Sequence, residues 1–349
     1  MAKNDERIPV AVLGATGSVG QKFIQLLSNH PYFKVVEVAA SERSAGKKYS
    51  EAVNWILPEP IPDNIAGLEV KECKPDLNCR TAFSGLDSSV AGEVEEAFAK
   101  AGYKVISNSK NHRQDKFVPL LIPEVNPDHL QLLDYQTYGE GKIVTNPNCA
   151  VIGLVIALKP LFDIFGLQAV NVVTMQAVSG AGFPGVASLS ILDNVVPYIG
   201  GEEEKVEMEP RKLLGSMSPD GIKFLDLPIS AQCNRVSVLD GHLETVQVKL
   251  AKKVSTRDII ECWDNFRSEP QKLELPSAPV KPVHYFDNPA YPQTRLHRNV
   301  ESGMGVSVGR LRECNLFDFK FAVLSHNTVR GAAGGAILCA ELMKAKGLL

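Results

Sequence analysis

A chain of 349 residues, 44% hydrophobic and 22% charged, exceeds one ordinary hydrophobic core and suffices for two domains of a soluble globular protein. Its formal net charge of −3 argues against nucleic acid or a membrane surface as partner, and no apolar run approaches the roughly 20 residues that span a bilayer. Seven cysteines, scattered and without a Cys-x-x-Cys pair, argue against a metal site or a disulfide framework and point to a reducing cytoplasm.

The polar start, residues 1–7, reads as neither a secretion signal nor a transit peptide. Residues 8–13 are a short apolar run expected to form a buried strand. Next come Gly14, Gly17 and Gly20 around Thr16, Ser18 and Val19, then Phe23, Ile24, Leu26 and Leu27 at helical spacing, then a second strand over 35–40. Strand, glycine turn, helix and strand in that order hold a dinucleotide pyrophosphate at the helix N-terminus, where glycines let backbone N–H groups come close to phosphate oxygens. The spacing is Gly-x-x-Gly-x-x-Gly rather than Gly-x-Gly-x-x-Gly, and tight turns need glycine too; the flanking strand and helix are what favour the cofactor reading. An NAD site carries Asp or Glu after the second strand. Here Ser41, Glu42, Arg43 and Ser44 follow it, with Lys47 and Lys48 behind. Hydroxyls and a guanidinium suit a 2′-phosphate, which favours NADP; Glu42 offers the acidic alternative, and a plain solvated loop is the other. Strands are expected over 81–84, ending at Ser84, and over 103–107, with a helix over 91–100 between them. The polar run from Asn108 to Arg113 is then a candidate site loop or a surface turn.

The chain next reaches Asn146, Pro147, Asn148 and Cys149, followed by an apolar helical run over 151–158. A thiol at a helix start faces unpaired N–H groups and the positive end of the helix dipole, which favour the nucleophilic thiolate. Most cysteines are buried and inert, so position alone does not make Cys149 reactive. Pro160 is expected to bend or end the helix. Beyond it come strands over 170–178, 242–250, 304–311 and 317–324, the last two joined as a hairpin, which implies an antiparallel sheet in a second, α+β domain. A charged helix over 200–214, a proline-rich loop over 273–292 and a closing helix from 328 complete the reading. His242 heads a strand with Glu244, Val246 and Val248 on the same face. A histidine titrating near neutrality can take a proton from a thiol, although a hydrogen-bonded core histidine is the commoner case. Arg235 can hold a carboxylate in a two-pronged bond or merely solvate a face.

With these segments in hand the chain resembles the aspartate-β-semialdehyde dehydrogenases, in the branch found in archaea and fungi, over nearly its whole length. The resemblance rests on Gly-Ala-Thr-Gly-x-x-Gly, Asn-Pro-Asn-Cys, the run from Gln176 through Ser179 and Gly180 to Gly182, Glu209-x-x-Lys212, Arg235 seven residues before His242, and Asn327 before Gly331. It implies a Rossmann-type parallel-sheet NADP-binding domain over 1–148, completed by the helix 328–349, and a catalytic and dimerising α+β domain over 149–327. Cys149 would be the acyl-accepting nucleophile, His242 the acid/base and Gln176 the residue that orients the acyl group. Arg235 would clamp the substrate α-carboxylate and Glu209 its amino group, with Arg113 and Lys212 as the phosphate pair and Asn148 beside them. Gly14, Thr16, Gly17, Ser18, Val19, Ser41, Arg43, Ser44, Ser84, Ser179, Gly180, Gly182 and Asn327 would form the cofactor surface. The activity implied is the reversible, NADPH-dependent conversion of aspartyl 4-phosphate to aspartate semialdehyde and phosphate through a cysteine thioester, in a cytoplasmic homodimer or homotetramer. The alternatives are a reductase of a CoA thioester such as malonyl-CoA, against which Glu209 argues, and a non-catalytic NADP-binding regulator. In the regulator Cys149 would react no faster than Cys73 or Cys262.

Overall fold

A computed structural model of the protein describes residues 6–349; the first five residues, and with them most of the polar start, lie outside the described residues. The chain divides into two units, one holding residues up to Leu121, His129–Asn146 and Ala336–Leu349, the other Ile122–Asp128 and Pro147–Gly335.

In the first unit β1 (Ile8–Leu13), β2 (Phe33–Ala40), β3 (Val70–Glu72), β4 (Thr81–Ser84), β5 (Lys104–Ser107) and β6 (Lys142–Thr145) form a wholly parallel sheet in the order β3-β2-β1-β4-β5-β6. That order is the doubly wound dinucleotide-binding one, with its reversal beside β1. Strands covered on both faces need unbroken apolar runs, and Val10, Ala11, Val12 and Leu13 have no exposed surface. Helix α1 (Ser18–Leu27) buries Phe23, Ile24 and Leu27, and the Phe23 ring lies 5.2 Å from that of Phe83 on β4. Helix α2 (Ser88–Lys100) is started by Asp87, whose carboxylate accepts the N–H of Ser89 at 2.8 Å.

In the second unit β7 (Leu167–Gln176), β10 (Ile229–Arg235), β11 (His242–Leu250), β12 (Val283–Phe286), β13 (Val306–Glu313) and β14 (Phe319–Ser325) form a sheet in the order β10-β7-β11-β14-β13-β12; β8 (Ser216–Ser218) and β9 (Gly221–Lys223) make a separate ribbon. The sheet is mainly antiparallel, with the outer strands β10 and β12 parallel to their neighbours. The fold class read from the sequence, a parallel Rossmann-type sheet plus an α+β unit, is the one observed. Strand β12 lies inside the stretch read as a proline-rich loop, because four residues beside prolines give no periodicity to detect.

Helix α3 (Cys149–Phe165) runs through Pro160 instead of ending there. The missing N–H and ring clash cost about 3 kcal/mol. The helix is buried on all sides from Ala150 to Leu158, however, with Val151, Ile152, Leu154, Val155, Ile156 and Leu158 and, beyond the proline, Leu161 in the core. Each such side chain contributes about 1.5–3 kcal/mol, so burial outweighs the break. The helix stops at Gly166, whose φ of 73° suits glycine and whose N–H bonds back to the carbonyl of Phe162. Helix α4 (Glu202–Leu213) buries Glu202, Val206, Glu209 and Leu213 along one face. Helix α5 (Thr256–Asn265) starts with a capping box between Ser255 and Asp258, and its Trp263 indole N–H donates to the carbonyl of Ala157 at 2.9 Å, tying it to α3. A single π-type turn, Val329–Ala333, precedes α6 (Gly334–Ala345). From Ala336 onward α6 belongs to the first unit, where Glu341 meets His30 at 2.7 Å with both side chains buried. Among the described residues no helix is long and apolar enough to cross a membrane.

Candidate active site

Asn148 is the N-cap of α3, and its side-chain oxygen accepts the N–H groups of Ala150 at 2.9 Å and Val151 at 3.3 Å. Its amide nitrogen donates to Glu202 Oε1 at 2.8 Å, and its backbone N–H to Glu209 Oε2 at 2.7 Å. Two carboxylates from one face of α4 therefore hold the residue directly before Cys149, and the first turn of α3 is fixed in place. The half-buried sulfur then lies 3.2 Å from Nε2 of His242.

His242 opens β11, and the alternation read from the sequence puts His242, Glu244, Val246 and Val248 on the buried face. The ring is 1% exposed and its Nδ1 accepts the backbone N–H of Ala177 at 3.1 Å. Burial pushes its pKa down to about 3, against the pull of the Glu202 carboxylate and with Arg235 and His326 adding to the depression. In place of the histidine titrating near neutrality that the sequence reading supposes, the site holds an imidazole kept neutral by burial.

Side chains reach this site in rows set by the sheet register. Arg235 on β10 is paired with Gln176 on β7, and one step down the same face Cys233, Thr174 and Glu244 align across β10, β7 and β11. Gln176 is buried and its amide nitrogen donates to Glu202 Oε1 at 3.1 Å. Glu202 thus joins Asn148 and Gln176 through one oxygen. Burial opposes its charge, but the Lys205 ammonium at 2.9 Å and the two amide donors outweigh that and hold its pKa below the ordinary carboxylate value. Glu244, buried beside it, is driven the other way by burial and by the Glu202 charge, which favour its protonated form. Neither carboxyl was singled out from the sequence. Glu202 shares a helical face with Val206, Glu209 and Leu213, which is the signal that separates it from its exposed neighbour Glu204.

Arg235 is buried, and its guanidinium donates to the carbonyl of Ala177 at 2.8 Å while its backbone pairs in both directions with Val196. Gly180 packs against it: a Cβ there would stand 2.9 Å from the Arg235 guanidinium and 3.0 Å from the His242 ring. Asn327 accepts the N–H of Gly241 and donates to the hydroxyl of Ser179, both at 2.8 Å, linking the turn before His242 to the turn at 179–182. Gly182 has φ +71° and ends that turn. Lys212 is buried on α4, three residues after Glu209.

One position the sequence reading used only as part of a motif is structurally decisive. A Cβ on Gly331 would stand 2.8 Å from Cβ of Cys149 and 3.0 Å from its Cα and carbonyl oxygen. Because two of those atoms are backbone, the sulfur itself must shift. Beside it the buried Arg330 and Glu124 form a two-pronged ion pair, at 2.9 and 2.5 Å. A Gly331→Ala variant is therefore expected to fold, with a Tm several degrees lower, and to lose about 100-fold in kcat. Unchanged kcat alongside a lowered Tm would mean that the start of α3 tolerates displacement.

The other predicted residues lie in the first unit. Gly14 has φ +72°, and a Cβ on it would meet the carbonyl oxygen of Gly85 at 2.7 Å. Gly20 packs still closer: its Cβ would fall 2.2 Å from the carbonyl oxygen of Gly14. Thr16, Ser18 and Val19 are half-buried around an exposed Gly17, the N-cap of α1, which has no side chain to cap the helix. Ser41, Arg43 and Ser44 form the turn after β2, with Ser41 and Arg43 exposed and the Ser44 N–H bonded to the Ser41 carbonyl at 2.8 Å. Ser84 departs from the expected cofactor surface. It has no exposed surface and its hydroxyl donates to Glu95 Oε1 at 2.6 Å, so only its backbone can serve a ligand. Ser107 donates to the same oxygen at 2.7 Å and accepts the N–H of Ser109, at the start of the loop that carries Arg113. Arg113 is buried, and its guanidinium donates to the carbonyl of Asn108 at 2.9 Å.

All seven cysteines are free thiols. Burial pushes Cys73 up, Cys79 and Cys233 to about 11 and Cys262 to about 12, whereas backbone N–H groups of Phe317 and Leu316 lower Cys314. Cys314 is thus the thiol against which the reactivity of Cys149 must be compared.

A dinucleotide-type sheet, and a cysteine that opens a capped helix with the β11 imidazole at its sulfur, are the parts of a cysteine-dependent aldehyde dehydrogenase. Residues 9–133 match the family described as "Semialdehyde dehydrogenase, NAD binding domain", and residues 158–330 "Semialdehyde dehydrogenase, dimerisation domain". The aspartate-semialdehyde dehydrogenase of Schizosaccharomyces pombe is 51% identical over 352 residues, covering 97% of this chain and 99% of that one. That of Archaeoglobus fulgidus is 49% identical over 341 residues, covering 97% and 98%. The crystal structure of the Candida albicans enzyme with NADP superposes with a TM-score of 0.91 at 45% identity, covering 98% of this chain and 100% of that one. The chain belongs to the aspartate-semialdehyde dehydrogenase family, in the branch that includes the fungal and archaeal enzymes.

Proposed function

We propose that this protein catalyses the reversible NADPH-dependent reductive dephosphorylation of L-aspartyl 4-phosphate to L-aspartate 4-semialdehyde, the step that feeds biosynthesis of lysine, threonine, methionine and isoleucine. The observation that carries the reading is the 3.2 Å approach of Cys149 Sγ to His242 Nε2 at the start of a capped helix. The first unit fits the dinucleotide: Gly14 and Gly20 let the backbone of the turn pack where a Cβ would clash with Gly85 and Gly14, Gly17 is exposed at the start of α1, and α1 begins without a capping side chain. Thr16, Ser18 and Val19 would hold the pyrophosphate, and Ser41, Arg43 and Ser44 the 2′-phosphate. The turn of Ser179, Gly180 and Gly182, tied down by Asn327, would lie against the nicotinamide. When bound, the cofactor supplies hydride to the acyl carbon.

The chain's own residues divide the remaining work. Cys149 attacks the acyl carbon and phosphate departs, leaving a thioester, so one hard reduction becomes two easier steps. Arg113 and Lys212, with Asn148, would stabilise the phosphate charge electrostatically. Arg235 clamps the α-carboxylate, Glu209 takes the α-amino group, and Gln176, fixed by Glu202, orients the acyl group. His242 stands at the sulfur for both steps.

The assembly supported by the dimerisation-domain match is a homodimer. The segment 183–198 leaves Leu189 92%, Leu192 62% and Tyr198 68% exposed, an apolar stretch suited to a subunit contact. A homotetramer would be built from such dimers, and sedimentation distinguishes the two. Seven free thiols suit the cytoplasm. The deciding experiment is a spectrophotometric assay of aspartate semialdehyde with phosphate or arsenate, run with NADP and with NAD. Phosphate-dependent formation of NADPH supports the reading. Activity only with malonate semialdehyde plus CoA would replace it with an acyl-CoA reductase.

A further inference from the structure

We propose that Glu95 is a positioning residue of the phosphate site: from α2 it holds the end of β5 and the loop that follows, and so sets where Arg113 meets phosphate. The inference rests on the reading of Arg113 as a phosphate residue and specifies what keeps it in place.

Ser88, Gly92 and Glu95 stand at i, i+4 and i+7 of α2 and so share one face. All three take a group from the chain at 107–112. The Ser88 carbonyl accepts the Asn111 amide at 3.0 Å, the Gly92 carbonyl meets His112 Nε2 at 3.2 Å, and Glu95 Oε1 accepts the Ser107 hydroxyl at 2.7 Å. The loop lies so close to the helix that a Cβ on Gly92 would stand 3.0 Å from the Asn111 amide nitrogen. Ser107 passes the constraint on: its oxygen accepts the Ser109 N–H at 3.0 Å, and the Ser109 hydroxyl donates to Asn111 Oδ1 at 2.6 Å. His112 Nδ1 lies 2.7 Å from the Asp115 carboxylate, and the next side chain, Arg113, donates back to the Asn108 carbonyl at 2.9 Å. The loop therefore closes on itself at Asn108, directly after the residue that Glu95 holds.

Stability of the fold does not account for Glu95. Its side chain has no exposed surface and lies in the row of Ala91 and Phe98 on the buried side of α2, where an apolar residue would pack without a polar atom to satisfy. One carboxyl oxygen takes two hydroxyls, that of Ser84 at 2.6 Å and that of Ser107. The other, Oε2, has no hydrogen-bond partner and lies 3.9 Å from His112 Nε2. A buried carboxyl oxygen without a donor lowers stability. What the residue adds is a fixed acceptor at the ends of two strands. The backbone ladder between β4 and β5 runs from Thr81 and Lys104 to Ser84 and Ser107 and stops where the loop begins, so beyond it side chains set the direction of the chain. Burial pushes the pKa of Glu95 up, against the pull of both hydroxyls and of the His112 and Arg113 charges. The contribution to the loop is thus the accepting oxygen, which a neutral amide can also supply.

The test reads phosphate binding to the full chain without turnover, so a failure of the proposed activity and a failure of this assignment are told apart. Line broadening of inorganic phosphate in ³¹P spectra gives the affinity. Arg113→Ala sets the scale and should weaken binding about tenfold or more. Glu95→Ala is expected to weaken it about fivefold or more, and Glu95→Ala combined with Arg113→Ala no further than Arg113→Ala alone, because a residue that acts through another adds nothing once that other is gone. Glu95→Gln, whose amide oxygen accepts both hydroxyls, should stay within about twofold of the parent. NADP affinity, from fluorescence quenching, should stay within about twofold in every variant, because Ser84 remains paired with Leu13 and Ser107 through the backbone. Four results would each overturn the proposal: phosphate affinity unchanged in Glu95→Ala or in Arg113→Ala, single losses that multiply in the double variant, a glutamine variant as weak as the alanine one, or NADP affinity falling as far as phosphate affinity. If Glu95→Ala fails to fold, Ser107→Ala removes the same link from its other end and decides by the same measure.

Discussion

A Cys149→Ser variant is expected to bind NADPH with nearly the parent affinity and to turn over on the order of 10⁴-fold more slowly, or worse. The substitution leaves the architecture alone. Asn148 still caps Ala150 and Val151, and Glu202 and Glu209 still hold Asn148. What changes is the nucleophile. A helix start can favour a thiolate, but a serine hydroxyl in the same place stays protonated. Any ester that did form would also accept hydride less readily than a thioester. The checks are NADPH titration by fluorescence quenching and initial rates with aspartate semialdehyde and phosphate. Residual turnover above about one per cent of the parent would sink covalent catalysis through this sulfur. A comparable loss of NADPH affinity would mean that Cys149 supports the cofactor site as well.

The sequence was most readable where function forces unusual residue choices. The run of glycines between a strand and a helix, and an asparagine directly before a cysteine that opens an apolar helix, are local patterns, and β1, α1 and the start of α3 stand where those patterns put them. The parallel sheet was readable for the same reason, since strands buried on both faces are short continuous apolar runs. Less was visible where a property belongs to pairing between distant segments. Strand β10 shows little apolar alternation, because its inner positions are Cys233 and Arg235 rather than aliphatic residues, and it becomes a strand by lying beside β7. Glu202 sits in a run of three glutamates, and only its shared face with Val206 and Glu209 marks it as buried. Ser84, at the end of a predicted strand, is a cofactor residue only by the resemblance, and the structure turns its hydroxyl inward to a carboxyl that lies eleven residues on. The condition of His242 was the least readable of all. Its neutral state depends on complete burial, and its ring is placed by a backbone amide sixty-five residues away, neither of which leaves a mark on the residues around it.

That dependence on the Ala177 peptide makes Arg235 the second residue with a large expected effect. The Arg235→Ala variant should raise KM for aspartate semialdehyde and lower kcat together, with a combined loss of about 10²–10³ in kcat/KM. Two separate causes contribute. The charge-assisted clamp on the substrate carboxylate is lost, a loss of about 1.5–3 kcal/mol, or roughly ten- to a hundred-fold. The Ala177 carbonyl also loses the donor that holds it at 2.8 Å, and Ala177 is the residue whose N–H sets the ring facing the sulfur. A small rotation there misplaces the His242 ring, and misplacement by an ångström lowers a rate by about 100-fold. Arg235→Lys separates the causes: it keeps the charge but not the two-pronged geometry, so it should recover part of KM and little of kcat. Initial-rate kinetics of both variants, with NADP saturating, are the measurement. An unchanged KM in the alanine variant would make Arg235 a structural support for the Ala177 peptide and remove it from substrate binding. Parent-like kcat in both variants would instead mean that the peptide holds its place without the guanidinium, through the Val236 and Gly180 N–H groups alone.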